Sequence, residues 1–317
     1  MVSAGGDSPR LAVVGHLVCD RIVLPGGETT EALGGVSYNI AALTSLMKAG
    51  RLLPVCEVGE DIKSVLPETF GKSPVFDDSA VKYTSLPNVV NTLVYDSSGS
   101  RQEWNSRKPE PLSLVNIPEN VDAVLFNFIS GDDVTLDELE AFRKRFDGIT
   151  YCDFHSLALG RSRAGKRFFR THPRWREYLS PMDVVQMNLA EFATIADARG
   201  TMREAASRIG IVHENGPETV IITMGKGGFL LSENSGKEIY HVPAVQIPDE
   251  VDTTGCGDTL AAALIYHFTV SGDISQSAAN ANMHAAAKAT FSGIDGFADI
   301  DRIISSLGPP VEPVRIF

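Results

Sequence analysis

The chain has 317 residues, 43% of them hydrophobic, enough to bury a large core without dividing into two domains. Its 28 basic residues against 40 acidic ones give a formal charge of -12, which argues against a general attraction to nucleic acid or an anionic membrane, so any phosphate must be held by a local site. The four cysteines form no C-x-x-C pair and no run approaches the ~20 apolar residues of a bilayer span, so a cytoplasmic protein with free thiols is expected.

Residues 1–10, MVSAGGDSPR, lack an apolar signal core and read as a disordered tail before a domain over 11–317. LAVVG (11–15) reads as a strand, followed by a polar, β-inclined stretch at 17–33 and a helical one, YNIAALTSLMKAG, at 38–50. A second polar, β-inclined stretch at 81–107 contains VNTLVYDSSGSRQEW, which reads as a hairpin turning near residues 97–100. Strands AVLFNF (123–128), ITYCDF (149–154), DVVQM (183–187) and TVIIT (219–223) then alternate with helical segments at 133–146, 189–200, 257–272 and 274–291. Gly50, Gly200 and Gly272 stand where helix stops belong. Continuous apolar strands between helices predict a doubly wound α/β domain, a mostly parallel sheet flanked by helices on both faces. The stretches 17–33 and 81–107 do not suit that layering. They are expected to form a small β-sheet lid whose free edges pair with a second copy as a homodimer.

The chemistry concentrates in DTTGCGDTLAAA, residues 252–263. Glycines immediately before a good helix-forming run let backbone N–H groups converge where the helix dipole also favours negative charge, so Gly255, Cys256 and Gly257 are candidates for an anion hole. Asp258 follows in the first helical turn. A carboxylate beside an anion hole would repel a phosphate unless it had work there, such as taking a proton from an attacking hydroxyl; the alternative is a helix-start residue favoured by the dipole. Asn188 and Glu191, three apart at a strand-to-helix junction, suit a hydrated magnesium ion, and they suit a capping box equally well.

DTTGCGD resembles the D-T-x-G-A-G-D motif of the ribokinase-like (PfkB) sugar and nucleoside kinases, with cysteine in place of alanine. Other segments agree in order: VVGHLVCD and LGGVSYNIAALTSLMKAG near the start, then VVQMNLAEF (N-x-x-E), ITMGKGG (T-x-G-x-x-G) and ANMHAAAKATFSGIDG. The likeness runs from about residue 11 to 300. It implies an ATP- and Mg2+-dependent kinase in which Asp258 is the catalytic base and Gly255, Cys256 and Gly257 form the anion hole. It further implies that Asp20, Gly34, Gly35 and Asn39 bind the acceptor. Asn188 and Glu191 would hold magnesium through water beside the nucleotide, with Thr223, Gly225, Gly228 and Asn282 bordering that nucleotide. Asp252 and Thr254 would lie beside a K+ ion. Each also has an ordinary reading: a strand-end acid for Asp20, a turn for Gly34 and Gly35, a helix-surface residue for Asn39, and a hairpin turn for the glycines of TMGKGG.

The sequence departs from the family where phenylalanine and a glycine pair usually follow the aspartate; here stand Leu260, Ala262 and Ala263. The part after VGEDI, which often shapes the acceptor pocket, is short. The segments assigned to the acceptor contain only Arg21 as a cation, with Arg101 and Arg107 on the lid, so a sugar or nucleoside is expected rather than a phosphorylated sugar. The competing readings are a non-catalytic sugar or nucleotide sensor of the same fold and a dinucleotide-dependent oxidoreductase. The first strand lacks the G-x-G-x-x-G that the oxidoreductase requires.

Overall fold

The computed structural model describes residues 8–97, 101–197 and 200–317. Most of the expected tail, positions 98–100 of the expected turn and 198–199 of the expected 189–200 helix lie outside the described residues. The first strand starts at Arg10, whose N–H donates to the Asp122 carboxylate at 2.7 Å.

Nine strands form the main sheet, in the order Arg51–Val55, Arg10–Val14, Ala123–Asn127, Ile149–Asp153, Val184–Asn188, Thr219–Thr223, Phe229–Glu233, Glu238–Val242 and Val314–Arg315. The first six run parallel and the last three add antiparallel. Their apolar runs are continuous because both faces are covered, and the period-two alternation divides the side chains between two cores. Leu11, Val13, Leu125 and Tyr151 meet the helices Ser37–Leu46, Cys256–Ser271 and Ile274–Lys288 on one face. Val14, Val124, Phe126 and Cys152 meet the helices Leu136–Arg143, Trp175–Leu179, Leu189–Ala196 and Met202–Arg208 on the other.

After Val14 the chain leaves this sheet to build half of a second one. The second sheet has the order Thr29–Gly35, Leu17–Val23, Val89–Tyr95, Arg101–Asn105, with a parallel central pair and antiparallel outer pairs. It is the small sheet expected from 17–33 and 81–107. Lys82–Thr84 is the exception, since it pairs with Glu57–Gly59 instead. The hairpin of Leu159–Arg161 and Arg167–Phe169 abuts the far edge through Trp104 and Lys166.

Two sequence expectations shift, and one strand is added. Gly50 is no helix stop, because the Ser37–Leu46 helix has already ended; at φ +101° it lets the chain pass against Pro9, whose carbonyl oxygen would lie 2.1 Å from an added Cβ. The helix expected from 133 begins at Leu136, because extended Thr135 is its N-cap, accepting from the Glu138 N–H at 3.2 Å, while the Asp133 carboxylate is engaged by the His16 ring at 2.7 Å and by the Ser130 and Gly131 amides. Arg51–Val55 is a strand absent from the sequence reading; its Pro54, which cannot donate to a ladder, is tolerated because this strand is the sheet edge.

Candidate active site

Four neighbouring parallel strands each end in a polar residue: Asn127, Asp153, Asn188 and Thr223. Ligands of doubly wound sheets bind at these carboxyl ends. Here a cavity of 260 Å³ opens between the strand ends, the 253–258 loop and the small sheet, which contributes Asp20, Asn91, Leu93, Arg101 and Glu103. A larger hollow of 430 Å³ lies between the Ser37–Leu46 helix and residues 294–301. Its charged lining is the exposed Lys48–Asp301 pair and Asp295, so the smaller cavity holds the chemistry.

Gly255 caps the Cys256–Ser271 helix in the left-handed region, φ +81°, and places Gly255, Gly257 and Asp258 on the cavity wall. The Cys256 N–H does not join them, because it donates to the Thr253 carbonyl at 3.2 Å. The expected row of three amides is thus reduced to its two glycines: the turn that starts the helix consumes the middle one. Asn127 donates to the Asp258 carboxylate at 2.6 Å and to the Asn39 side-chain oxygen at 2.8 Å, while Asn39 donates to the Asp258 carbonyl at 2.9 Å. Asn39 is fully buried and sits behind Asp258 rather than on the cavity wall. Burial pushes the Asp258 carboxyl above its ordinary range, with His155 and the Asn127 hydrogen bond opposing.

Asp153 is the principal residue not anticipated. Burial, and then the neighbouring Asp258 and Glu191 charges, push it well above the carboxylate range. Gln186 fixes it, donating to Asp153 at 3.1 Å and to the Gly257 carbonyl at 3.0 Å while accepting from the Tyr151 hydroxyl at 2.8 Å. Beside them His155 holds φ +21°, seldom adopted by non-glycine residues. Burial works to lower its pKa, but the Glu191 hydrogen bond and charge, with Asp153, raise it to about 9. A signal for Asp153 and Asn127 was present in YCD and LFN, where an apolar run stops on a polar residue.

Asn188 and Glu191 form a complete capping box: Asn188 accepts from the Glu191 N–H at 2.9 Å and Glu191 accepts from the Asn188 N–H at 2.8 Å. Both nevertheless line the cavity, and Glu191 meets His155 Nδ1 at 3.2 Å. Thr223 lines it too. Gly225 and Gly228 lie in the turn that follows, and Asn282 is buried with its amide on the Pro243 carbonyl at 2.8 Å; none of these three borders the cavity.

Asp20 is buried on the small sheet and accepts from Asn91 at 3.2 Å. Gly34 makes room for it, since a Cβ there would fall 2.1 Å from the carboxylate, and Gly35 lines the cavity. Burial raises the Asp20 pKa to about 7 from 3.8, against the Asn91 hydrogen bond. The protonated form therefore adds stability that is complete below about pH 4 and lost as pH rises through about 7. Asp20→Asn should accordingly gain about 2–3 kcal/mol relative to the parent between pH 5 and pH 8, at about 1.4 kcal/mol per pKa unit. Urea unfolding at both pH values measures this, and an equal offset at the two would count against it.

Residues 161–298 match the model of the pfkB family carbohydrate kinases. The chain is 26% identical over 261 residues to a cytidine kinase of Thermococcus kodakarensis, covering 80% of this chain and 87% of that one. A ribokinase of Arabidopsis thaliana, solved with ribose and ATP, superposes with a TM-score of 0.74 at 19% identity, covering 94% of this chain and 99% of the other. A pyrophosphate-dependent kinase in the ribokinase family, solved with a pyrophosphate analog and myo-inositol, gives 0.76 at 17% identity, covering 92% and 99%. The fold is ribokinase-like. The family match covers the later part of the chain, and the kinases that the chain is similar to are phosphotransferases. Among the described residues no helix is long and apolar enough to cross a membrane.

Proposed function

We propose that the protein transfers the γ-phosphoryl group of ATP to a hydroxyl of a small, uncharged sugar or nucleoside. The observation that carries this reading is the meeting, in one cavity, of the Asp258 carboxylate, the Gly255 and Gly257 helix-start residues and the Asp20 carboxylate of the small sheet. Asp258 takes the acceptor O–H proton as the new O–P bond forms and the bond to the β-phosphate oxygen breaks, releasing ADP. The two glycine amides face the charge on the transferred group. Asp20 and Asn91 accept from and donate to vicinal hydroxyls, and Gly35 lets the acceptor lie against the backbone. Asn39, through Asn127 and the Asp258 carbonyl, orients the base instead of touching the acceptor. The nucleotide lies along Asn188 and Thr223, with Gly225, Gly228 and Asn282 farther out.

The donor set fits a hydrated magnesium ion. Asp153, Glu191 and Asp258 crowd one wall, the first and last raised above their ordinary pKa, and a divalent cation relieves that repulsion. Among the described residues no three acidic, histidine or cysteine side chains form a direct metal cage, which accords with holding through water by Asn188, Glu191 and Asp153. When bound, magnesium neutralises charge on the phosphates.

An uncharged acceptor is favoured because the arginines are committed. Arg107 is engaged by Glu57 and the Pro87 carbonyl and Arg21 by Glu31, leaving Arg101, with Glu103 at 3.9 Å, on the cavity wall. The small sheet roofs the acceptor as a lid, and its free Thr29–Gly35 edge supports pairing with a second copy. Four unpaired thiols support a reducing, cytoplasmic setting.

A panel of sugars, polyols and nucleosides, assayed with ATP and with pyrophosphate as donor, tests the reading. Turnover with ATP and an uncharged acceptor is expected. Preference for a sugar phosphate, or for pyrophosphate, would revise acceptor or donor, and binding without turnover would point to the sensor reading.

A further inference from the structure

Lys288 closes the Ile274–Lys288 helix with no solvent exposure. Its ammonium donates to the Phe291 carbonyl at 2.9 Å and lies 3.5 Å from the Asp252 carbonyl. It also stands 4.9 Å from the Phe291 ring and 5.6 Å from the Tyr38 ring. The same Tyr38 ring presses on Gly255, where an added Cβ would fall 2.3 Å from it. The two loops around the ammonium are strapped together. The Val251 and Asp252 amides donate to the Ala289 carbonyl at 2.8 and 3.2 Å, and Ser292 donates to the Asp252 carboxylate at 3.0 Å.

Burying an ammonium is costly, and a methionine would fill much the same volume without that cost. Burial pushes the Lys288 pKa down, while Asp252, Cys256 and Asp258 act to raise it. A charge retained against such a penalty, between the carbonyls of the loop that leads into the cavity wall, calls for a role beyond packing.

We propose that Lys288 is a tethered cation, a positioning residue whose ammonium draws the Asp252 and Phe291 carbonyls together and so holds the 252–255 loop, with Tyr38, in the shape that aims the Gly255 and Gly257 amides into the cavity. This replaces the free K+ expected beside Asp252 and Thr254: the ammonium meets the Asp252 carbonyl from inside the fold, and Asp252 Oδ1 is already used by the Thr254 N–H at 2.9 Å. The aim of the amides at a phosphate rests on the kinase reading; the cation's hold on the loop does not.

The test compares the full-length protein in potassium, sodium and tetramethylammonium chloride at equal ionic strength. The parent should turn over within about twofold in all three, and activation by potassium of about tenfold or more would overturn the proposal. Lys288→Met, which keeps the volume and removes the charge, should melt near the parent temperature or above it yet lose about tenfold or more in kcat with little change in acceptor KM. Unchanged kcat in this variant would also overturn the proposal. Lys288→Ala should be restored, in melting temperature and in kcat, by potassium or methylammonium and not by tetramethylammonium. The melting arm needs no acceptor, so it still decides if no substrate is found: a folded Lys288→Ala that melts alike in all salts sinks the proposal. If that variant does not fold, the parent and Lys288→Met decide.

Discussion

Asp258→Asn is expected to lower kcat by about 10²- to 10⁴-fold, the usual worth of a positioned general base, while leaving the fold intact. The amide keeps the side-chain volume and can still accept from Asn127, so the Asn127–Asn39 support behind it survives. It cannot accept the hydroxyl proton. Because burial and neighbouring Glu191 penalise the ionised carboxylate, the variant should melt at or above the parent temperature near neutral pH, and ATP should bind as well or better once repulsion is relieved. A merely dipole-favoured helix-start residue would behave differently, losing about 1 kcal/mol or less of stability with turnover nearly intact. Steady-state kinetics and thermal melting on one variant separate the two roles, and near-parental kcat with an identified acceptor would remove Asp258 from the mechanism.

Gly255→Ala is expected to cost both stability and activity. The residue holds φ +81°, and a Cβ would fall 2.3 Å from the buried Tyr38 ring, which is carried by the Ser37–Leu46 helix and faced by the Lys288 ammonium, so it has little room to retreat. Backbone strain of about 1–3 kcal/mol adds to the steric clash, so the helix start must shift and carry the Gly257 amide with it. The expected result is a melting temperature lowered by several degrees, at about 2–4 °C per kcal/mol for larger domains, and kcat reduced by more than about tenfold in whatever protein remains folded. Gly257→Ala is the control, since its Cβ would meet only the Gln186 amide at 3.7 Å and it has no positive φ. If both variants melt alike, the Tyr38–Gly255 contact does not shape the helix start.

Neither variant was equally legible in the sequence. The glycine–aspartate order of DTTGCGD, set before an alanine-rich run, already placed a helix start and a carboxylate together, because helix capping and the first-turn position are local properties of the chain. The partners that give Asp258 and Gly255 their environments, Asn127 and Tyr38, lie more than 100 residues away.

The sequence by itself determined the alternation of strands and helices, the two polar β stretches that became the small sheet, and the cluster at 252–258. Burial on one or two faces leaves a periodic record in the residues that are buried. It also carried the capping box at Asn188 and Glu191, which is written in four consecutive residues. Only the tertiary structure decided which strand ends meet. Asp153 faces Asp258 because the Cys256–Ser271 helix packs against the sheet with its start at the carboxyl end of the Ile149–Asp153 strand, and no local period encodes that placement. The same holds for Arg51–Val55, whose proline is permitted by its place at the edge. It holds for Asn39, turned from the acceptor to the base by Asn127, and for Lys288, whose position in an alanine-rich helix gives no sign that its ammonium ends beneath the helix start at Gly255. Charge environments are set by neighbours in space, and those neighbours are chosen by the topology.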